Sequence, residues 1–305
     1  MIITNNIRLT KIIVNNSWKT LMIVILISTA SYYFNEYILI NYFEFPAIIP
    51  AIIGPALAFF IGFNNNQAYD RWWEARKIWG ALVNDSRSWA RQMVYNTSAG
   101  QPENENDLNN LRRRTVFRHI AFLYTLKDSL RGEKNKYHNK FLTPKEAKSI
   151  QLESNLPNAL LNIQSKDLEY MYRMDYVDGY KFIEFNKMIV KFCDEMGMSE
   201  RIKNTVFPTS YNYYTRIFIW LLVISIIFVS DKSIGPWSIL IGVFVGYIFM
   251  ITQSIGQVIL NPFDPIPSGI ALDQITRTIE INLLETLGES NIPEPIKSIN
   301  NEYIM

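Results

Sequence analysis

Residues 55–76 read PALAFFIGFNNNQAYDRWWEAR, an uncharged segment that passes directly into a polar one. Since no helix breaker follows Gly62, this stretch predicts one helix that crosses a membrane and continues beyond it. Pro55, Phe59 and Phe63 recur at every fourth residue and therefore share one narrow stripe of that helix. The stretch indicates a membrane protein whose most regular surface feature is this apolar stripe.

The residues alone leave two interpretations of the stripe open. One is ordinary helix packing in the bilayer, where phenylalanine is common. The other is that several subunits arrange the stripe around an axis, where stacked rings form a dry constriction that gates ions by dewetting. In that arrangement, Asn64, Asn65 and Asn66 offer uncharged dipoles at the exit.

Charge is distributed unevenly along the 305 residues. Residues 64–210 carry 41 of the 58 Asp, Glu, Lys and Arg side chains, and the other 158 residues carry 17. Because a soluble protein distributes charge over its whole surface, the nearly charge-free half indicates a lipid environment. The balance of 30 basic and 28 acidic residues excludes a typical nucleic-acid-binding protein. The single cysteine, Cys193, excludes an intrachain disulfide.

Long apolar runs predict an all-α membrane protein with four transmembrane helices and a large cytoplasmic helical body. The candidate spans are residues 20–43, 45–63, 211–230 and 234–260. Of the basic residues, only Lys232 falls in the two connections between paired spans, so both termini are expected on the cytoplasmic side. The predicted domains are two spans, a cytoplasmic vestibule, two further spans, and a cytoplasmic helix with its tail: residues 1–63, 64–210, 211–260 and 261–305.

The charged segment shows helical periodicity and almost no strand pattern. Thr143 before Pro144, with Glu146 at the third position, predicts a helix start. Residues 101–110 are expected to form a polar loop. Helices are expected over residues 67–95, 111–131, 143–153, 158–177, 180–196 and 268–287.

The sequence contains little on which catalysis could depend. Its two histidines, His119 and His138, are far apart and have no clustered partners, so we expect neither a metal site nor a haem. No glycine-rich phosphate loop and no nucleophile–histidine pair is evident. We therefore expect a protein that is not an enzyme and carries no cofactor.

Two motifs carry a family resemblance. The segment 62–76 with Trp79-Gly80, and Asn261-Pro262-Phe263 after the last apolar run, closely resemble the bestrophin family, particularly its bacterial members. The resemblance extends over essentially the whole chain. It implies a homopentamer in the bacterial inner membrane that conducts small monovalent ions passively through a central pore. The family as a whole is known for chloride and other anions, and some bacterial members conduct sodium.

The resemblance also implies roles for individual residues. The neck would be formed by Phe63, Phe59 and Pro55, with Pro55 as the outermost ring. Since a bulky apolar residue suits that ring better than proline, Ile52 or Ala56 could share the role of Pro55. Matching the run to Pro208 without gaps implies a second, cytoplasmic aperture at Tyr180, although a tyrosine packed between helices is an alternative. The residues of the family's structural motifs are Arg71, Trp72, Trp73, Glu74, Asn261, Pro262 and Phe263.

Two further expectations concern regulation and ion type. Asp264 is the only carboxylate directly after Asn-Pro-Phe, where animal bestrophins carry an acidic run that binds calcium, so calcium activation of that kind is not expected. Glu36, Glu44 and Asp231 near the outer side favour cations, whereas the net charge of +5 over residues 64–210 favours anions. The alternative function is a membrane-anchored scaffold that binds a cytoplasmic partner through its helical body.

Overall fold

The computed structural model describes residues 8–39, 42, 44–205 and 209–298. Every regular element within these ranges is a helix, as predicted. Four features of the prediction lie outside the described residues. They are the start of the domain 1–63, the end of the span 20–43, Pro208, and the end of the domain 261–305. The α-helices are α1 Arg8–Phe34, α2 Ile48–Tyr95, α3 Glu105–Arg131, α4 Pro144–Ile150, α5 Leu156–Arg173, α6 Gly179–Asn204, α7 Thr209–Ile234, α8 Trp237–Ile259 and α9 Leu272–Leu287.

The chain divides into two compact units. The first, which we call the span unit, comprises residues 8–71 and 209–260 of the described chain. The second, the body unit, comprises Trp72–Thr205 and residues 261–298. Helix α2 contributes to both units, and it runs without a break from Ile48 to Tyr95, as the absence of a breaker after Gly62 predicted.

Four of the described helices are long and apolar enough to cross a membrane. They lie at Ser17–Leu39, Ile48–Tyr95, Ser210–Ile234 and Trp237–Ile259, with mean hydropathies of 1.3, 1.6, 2.1 and 1.9. Pro55 lies within the apolar part of α2 without ending the helix. The span unit has its own cluster of buried apolar side chains, which includes Val24, Leu57, Ile61, Ile219, Leu222, Val223, Ile227 and Met250.

Glycines let the helices of the span unit approach one another closely. A Cβ at Gly246 would lie 2.7 Å from Val223 Cγ2 and 2.9 Å from Val24 Cγ1, and a Cβ at Gly242 would lie 2.6 Å from Ile227 Cδ1. Helix association in lipid depends on van der Waals packing, for which small residues four apart are well suited. The absence of side chains at Gly242 and Gly246 therefore lets α8 pack closely against α7 and α1.

Gly246→Ala is expected to lower the thermal unfolding temperature in detergent. The added methyl group overlaps two stiff valine side chains, and overpacking of this kind costs about 1–3 kcal/mol. Gly62→Ala is the matched control, because nothing lies within 4 Å of its Cβ position and alanine favours the helix. Equal unfolding temperatures for the two variants would contradict the close packing at Gly246.

The body unit surrounds α3, most of whose side chains are buried. Trp79 and Trp89 of α2 are completely buried, and Phe185 and Phe192 of α6 meet the Trp89 ring edge-on at 5.7 and 5.8 Å. Apolar burial over this many large side chains is the main force that holds such a unit together.

Element boundaries in the body unit are partly as predicted. Thr143 and Glu146 form the expected capping box, in which Glu146 Oε2 accepts from the Thr143 amide at 2.8 Å. The predicted loop over residues 101–110 is wrong from Glu105 onward, where α3 begins with acidic residues in its first turn, which suit a helix amino terminus. Helix α6 continues past residue 196 to Asn204, because its buried face extends through Ser199 and Ile202.

Candidate functional site

The predicted stripe of α2 is exposed along one face of the described chain. Ile52, Phe59 and Phe63 are 61%, 77% and 52% exposed, and Pro55 is exposed on the same face. The opposite face of the same helix is buried in the span unit through Leu57, Ile61 and Ala68. A regular apolar face of a long helix is thus left without a partner inside a single chain, so lipid, another subunit or a pore lumen must lie against it.

The three consecutive asparagines lie on different faces of α2. Asn65 Nδ2 donates to the Thr252 carbonyl oxygen at 2.8 Å. A Cβ at Gly256 would lie 2.1 Å from Asn65 Oδ1, so the glycine is needed for this approach. Asn66 is exposed, and its Nδ2 donates to Asp70 Oδ2 at 3.4 Å. Asn65 therefore joins α2 to α8, whereas Asn66 continues the exposed stripe.

Asn64 belongs to a cluster of carboxamides inside the span unit. It lines a cavity of about 10 Å³, with room for about one water molecule, together with Asn212, Gln253 and Gln257. Asn212 Nδ2 donates to Gln257 Oε1 at 2.7 Å, and Gln253 Nε2 donates to the Asn212 carbonyl at 3.2 Å. Sequence reasoning missed this cluster. The pair of glutamines four apart in an uncharged span was a signal for it, because amides in a span usually bond across helices.

The family's motif residues in the body unit have structural contacts. Trp72 Nε1 donates to the Ser268 carbonyl at 3.0 Å. Glu74 Oε1 accepts from Arg201 Nη2 at 2.7 Å. Trp73 stacks on Trp72, with ring centroids 6.4 Å apart. These contacts hold α2 against α6 and against the segment that precedes α9.

The Asn-Pro-Phe motif forms a turn in the described chain. Phe263 is fully buried, and its carbonyl accepts from Arg131 Nε at 3.3 Å. The Pro262 carbonyl accepts from the amide of Ile270 at 2.8 Å. Asn261 Nδ2 donates to Asp264 Oδ1, so the one carboxylate of this segment is already engaged. No cluster of three or more His, Cys, Asp or Glu that could hold a metal occurs in the part of the chain that the structure describes.

Tyr180 lies in the first turn of α6 and is 87% exposed. The turn is fixed by its cap, Asp178, whose Oδ1 accepts from the Lys181 amide at 2.8 Å. The capped helix start thus fixes the backbone of Tyr180, whose ring is exposed. Within one chain it is not packed between helices, which was the alternative to an aperture.

The acidic residues expected at the outer mouth differ in their surroundings. Glu44 Oε1 lies 2.9 Å from Lys232 Nζ. Asp231 is buried and accepts from Asn35 Nδ2 at 2.8 Å. Glu36 is exposed in the short π-helical segment Asn35–Leu39 that follows α1. An ion pair or a burying contact lowers the field that a carboxylate projects into water, so Glu36 retains the largest influence of the three.

The two histidines belong to the core of the body unit. His119 is fully buried, with Nε2 2.9 Å from Ser86 Oγ, and burial lowers the pKa of its imidazole to about 3. His138 is also buried, and burial lowers its pKa as well. Both rings are therefore neutral at physiological pH.

A carboxyl pair lies between α2 and α6 of the body unit, with Glu195 buried and Asp85 half-buried. Glu195 is 4% exposed beside Asp85, which in turn has Lys191 Nζ 3.4 Å from its Oδ1. Burial, together with the charge of Asp85 and a hydrogen bond to it, raises the pKa of Glu195 to about 8. At neutral pH the pair therefore holds a proton.

The stability of the protein is expected to fall as pH rises from about 6.5 to about 8. Unfolded glutamate titrates near pH ~4.3 and unfolded histidine near pH ~6.5. The opposite contribution of the buried histidines is therefore nearly complete when this window begins, whereas Glu195 still holds a proton that the unfolded chain has lost, so stability declines with pH. Glu195→Gln is expected to flatten most of that decline, measured as unfolding temperature against pH. Glu184→Gln on the same helix, in an exposed pair with Lys187, should keep the wild-type slope; identical slopes for both variants would exclude Glu195 as the source.

Comparison with known proteins identifies the family. The family model described as Bacterial/Fungal Bestrophin protein matches residues 6–285. The chain belongs to the bestrophin family. The membership predicted from the motifs around Arg71 and Asn261 is thereby confirmed.

Relatives of this bestrophin cover most of its length. A protein of Ralstonia nicotianae, named as a voltage-dependent anion channel-forming protein, is 28% identical over 252 residues, 79% of this chain and 78% of the relative. A protein of Escherichia coli K12 with the same description is 28% identical over 247 residues, 81% of this chain and 78% of the relative. A crystal structure of a bacterial bestrophin homologue from Klebsiella pneumoniae shares the fold, with a TM-score of 0.80 at 21% identity over 89% of this chain and 98% of that one.

Proposed function

We propose that this bestrophin is a passive ion channel for small monovalent ions. The observation that carries the proposal is the exposed stripe of Ile52, Pro55, Phe59 and Phe63, which leaves one face of a membrane-crossing helix without a partner inside the chain. Membership of a family whose relatives are named as channel-forming proteins supports it. The ion gradient drives the flux, and the protein supplies a path and a gate.

The assembly proposed is a homopentamer with the stripe around its axis. In it, Phe59 and Phe63 form rings of the neck, and the position of Pro55 is shared with Ile52, whose larger side chain is 61% exposed. Such an apolar constriction admits ions only when it is wetted, so small movements of α2 open or close it. Tyr180 is proposed as the second aperture, where five hydroxyl-bearing rings meet.

The topology proposed has four spans and places both termini in the cytoplasm of a bacterial cell, with the protein in the inner membrane. Residues 1–63 and 211–260 then contain the spans, and residues 64–210 and 261–305 form cytoplasmic parts. Membrane lipid surrounds the spans. The scarcity of basic residues in the two outer connections supports this orientation.

The test combines assembly with conduction. Native mass spectrometry of the purified protein is expected to give five times the monomer mass of 35.6 kDa. Reconstitution in a planar bilayer between unequal sodium chloride solutions is expected to give a current, and its reversal potential reports the preferred ion. A stable monomer without current would overturn the proposal and favour the scaffold that binds a cytoplasmic partner.

A further inference from the structure

The exposed stripe of α2 ends in a charged residue. From Phe63, steps of three and four residues lead to Asn66 and then Asp70, which keeps both on the face of Phe59 and Phe63. Both polar side chains are exposed. Seven residues of helix at ~1.5 Å each place Asp70 about 10 Å beyond Phe63 along the axis.

The charge of Asp70 is not neutralised within the span unit. Among the described residues no lysine or arginine forms an ion pair with it, and its polar contact is the Asn66 amide at 3.4 Å. Glu44 of the same unit is different, because Lys232 lies 2.9 Å away. An exposed, unpaired carboxylate is costly against lipid, so the end of the stripe that carries Asp70 faces water.

We propose that Asp70 is a determinant of charge selectivity, which raises the permeability of small monovalent cations relative to anions at the inner end of the neck. This inference rests on the proposed function, in which five copies of the stripe surround one axis. Five carboxylates close to that axis would repel anions and raise the local cation concentration, whereas the apolar rings above them discriminate weakly by charge. A ring of aspartates is one of the standard devices of cation channels.

The test is the reversal potential of Asp70→Asn in unequal sodium chloride solutions. The variant keeps the size of the side chain and removes its charge, and the sodium-to-chloride permeability ratio is expected to fall by roughly five-fold. Asp70→Glu should retain the wild-type ratio. Glu44→Gln is the matched control, since it removes a carboxylate that is already paired, and it should also leave the ratio unchanged. If Asp70→Asn does not assemble, Asp70→Ser is measured instead.

The outcomes separate this inference from the function on which it rests. The role of Asp70 would be overturned if Asp70→Asn or Asp70→Ser kept the wild-type sodium-to-chloride permeability ratio. A larger current in Phe59→Ala would show that the channel itself is nevertheless correct. A shift of equal size in Glu44→Gln would also overturn it, because surface charge in general would then set the ratio. The absence of current from every assembled protein would remove the proposed function and the inference together.

Discussion

Phe59→Ala is expected to raise the ion current through the reconstituted protein by about 3- to 10-fold, since a barrier lowered by ~1 kcal/mol increases flux about five-fold. Phe59 is 77% exposed in the single chain, at the middle of the stripe. Five fewer aromatic rings would widen the neck and lower the cost of wetting it. Single-channel conductance and open probability in a planar bilayer measure the two effects separately.

Phe60→Ala provides the matched control for this experiment. The neighbouring ring is half-buried and stacks on Tyr211, with centroids 4.8 Å apart at an interplanar angle of 10°. Its loss should lower the unfolding temperature by removing buried contact area, without raising the conductance. If Phe60→Ala raised the current as much as Phe59→Ala, loosened packing rather than a wider neck would explain both, and the stripe would lose its role as the constriction.

The stripe was predictable because helical periodicity is a property of one chain segment alone. Once α2 was recognised as unbroken through Gly62, the spacing of Pro55, Phe59 and Phe63 placed them on one face whatever the rest of the protein does. The capping box at Thr143 was predictable for the same reason, since its two hydrogen bonds join residues three apart.

The separate roles of the asparagines were not predictable from spacing. Asn65 and Asn66 are adjacent in sequence, yet one bonds to Thr252 on another helix and the other joins the exposed stripe. Which face of α2 is covered depends on where α7 and α8 pack, and that packing depends on contacts between residues nearly two hundred positions apart. The proton held at Glu195 has the same origin, because the raised pKa of Glu195 depends on burial between helices and on Asp85 from a distant helix.

The contacts of charged side chains in the body unit were likewise not predictable from the sequence. Each member of the basic triplet Arg112-Arg113-Arg114 bonds to a carboxylate of the body unit, namely Glu105, Glu289 and Asp167 respectively. The sequence did not single out Arg118, one helical turn later. Only the fold shows that Arg118 is buried between two carboxylates.

Asp167→Ala is expected to destabilise the body unit by about 3–5 kcal/mol, the range for removal of one partner from a buried ion pair. Asp167 on α5 is 5% exposed and receives Arg118 Nη1 and, at 3.3 Å, Arg114 Nη2. Arg118 is itself 7% exposed and also contacts Glu146. Without Asp167, a guanidinium stays buried with one of its two carboxylates missing, and its desolvation is no longer compensated. The unfolding temperature and the yield of assembled protein report the loss.

Glu169→Ala isolates the effect of burial from that of charge. Glu169 lies on the same helix, two residues further on, and pairs with Arg173 at 2.9 Å on the surface, where exposed ion pairs contribute about 0–1 kcal/mol. Its loss should therefore shift the unfolding temperature very little. Comparable shifts in the two variants would mean that Asp167 acts only through the surface charge of α5. A large shift confined to Asp167→Ala would identify the buried carboxylate as the contact that fixes α5 against α3.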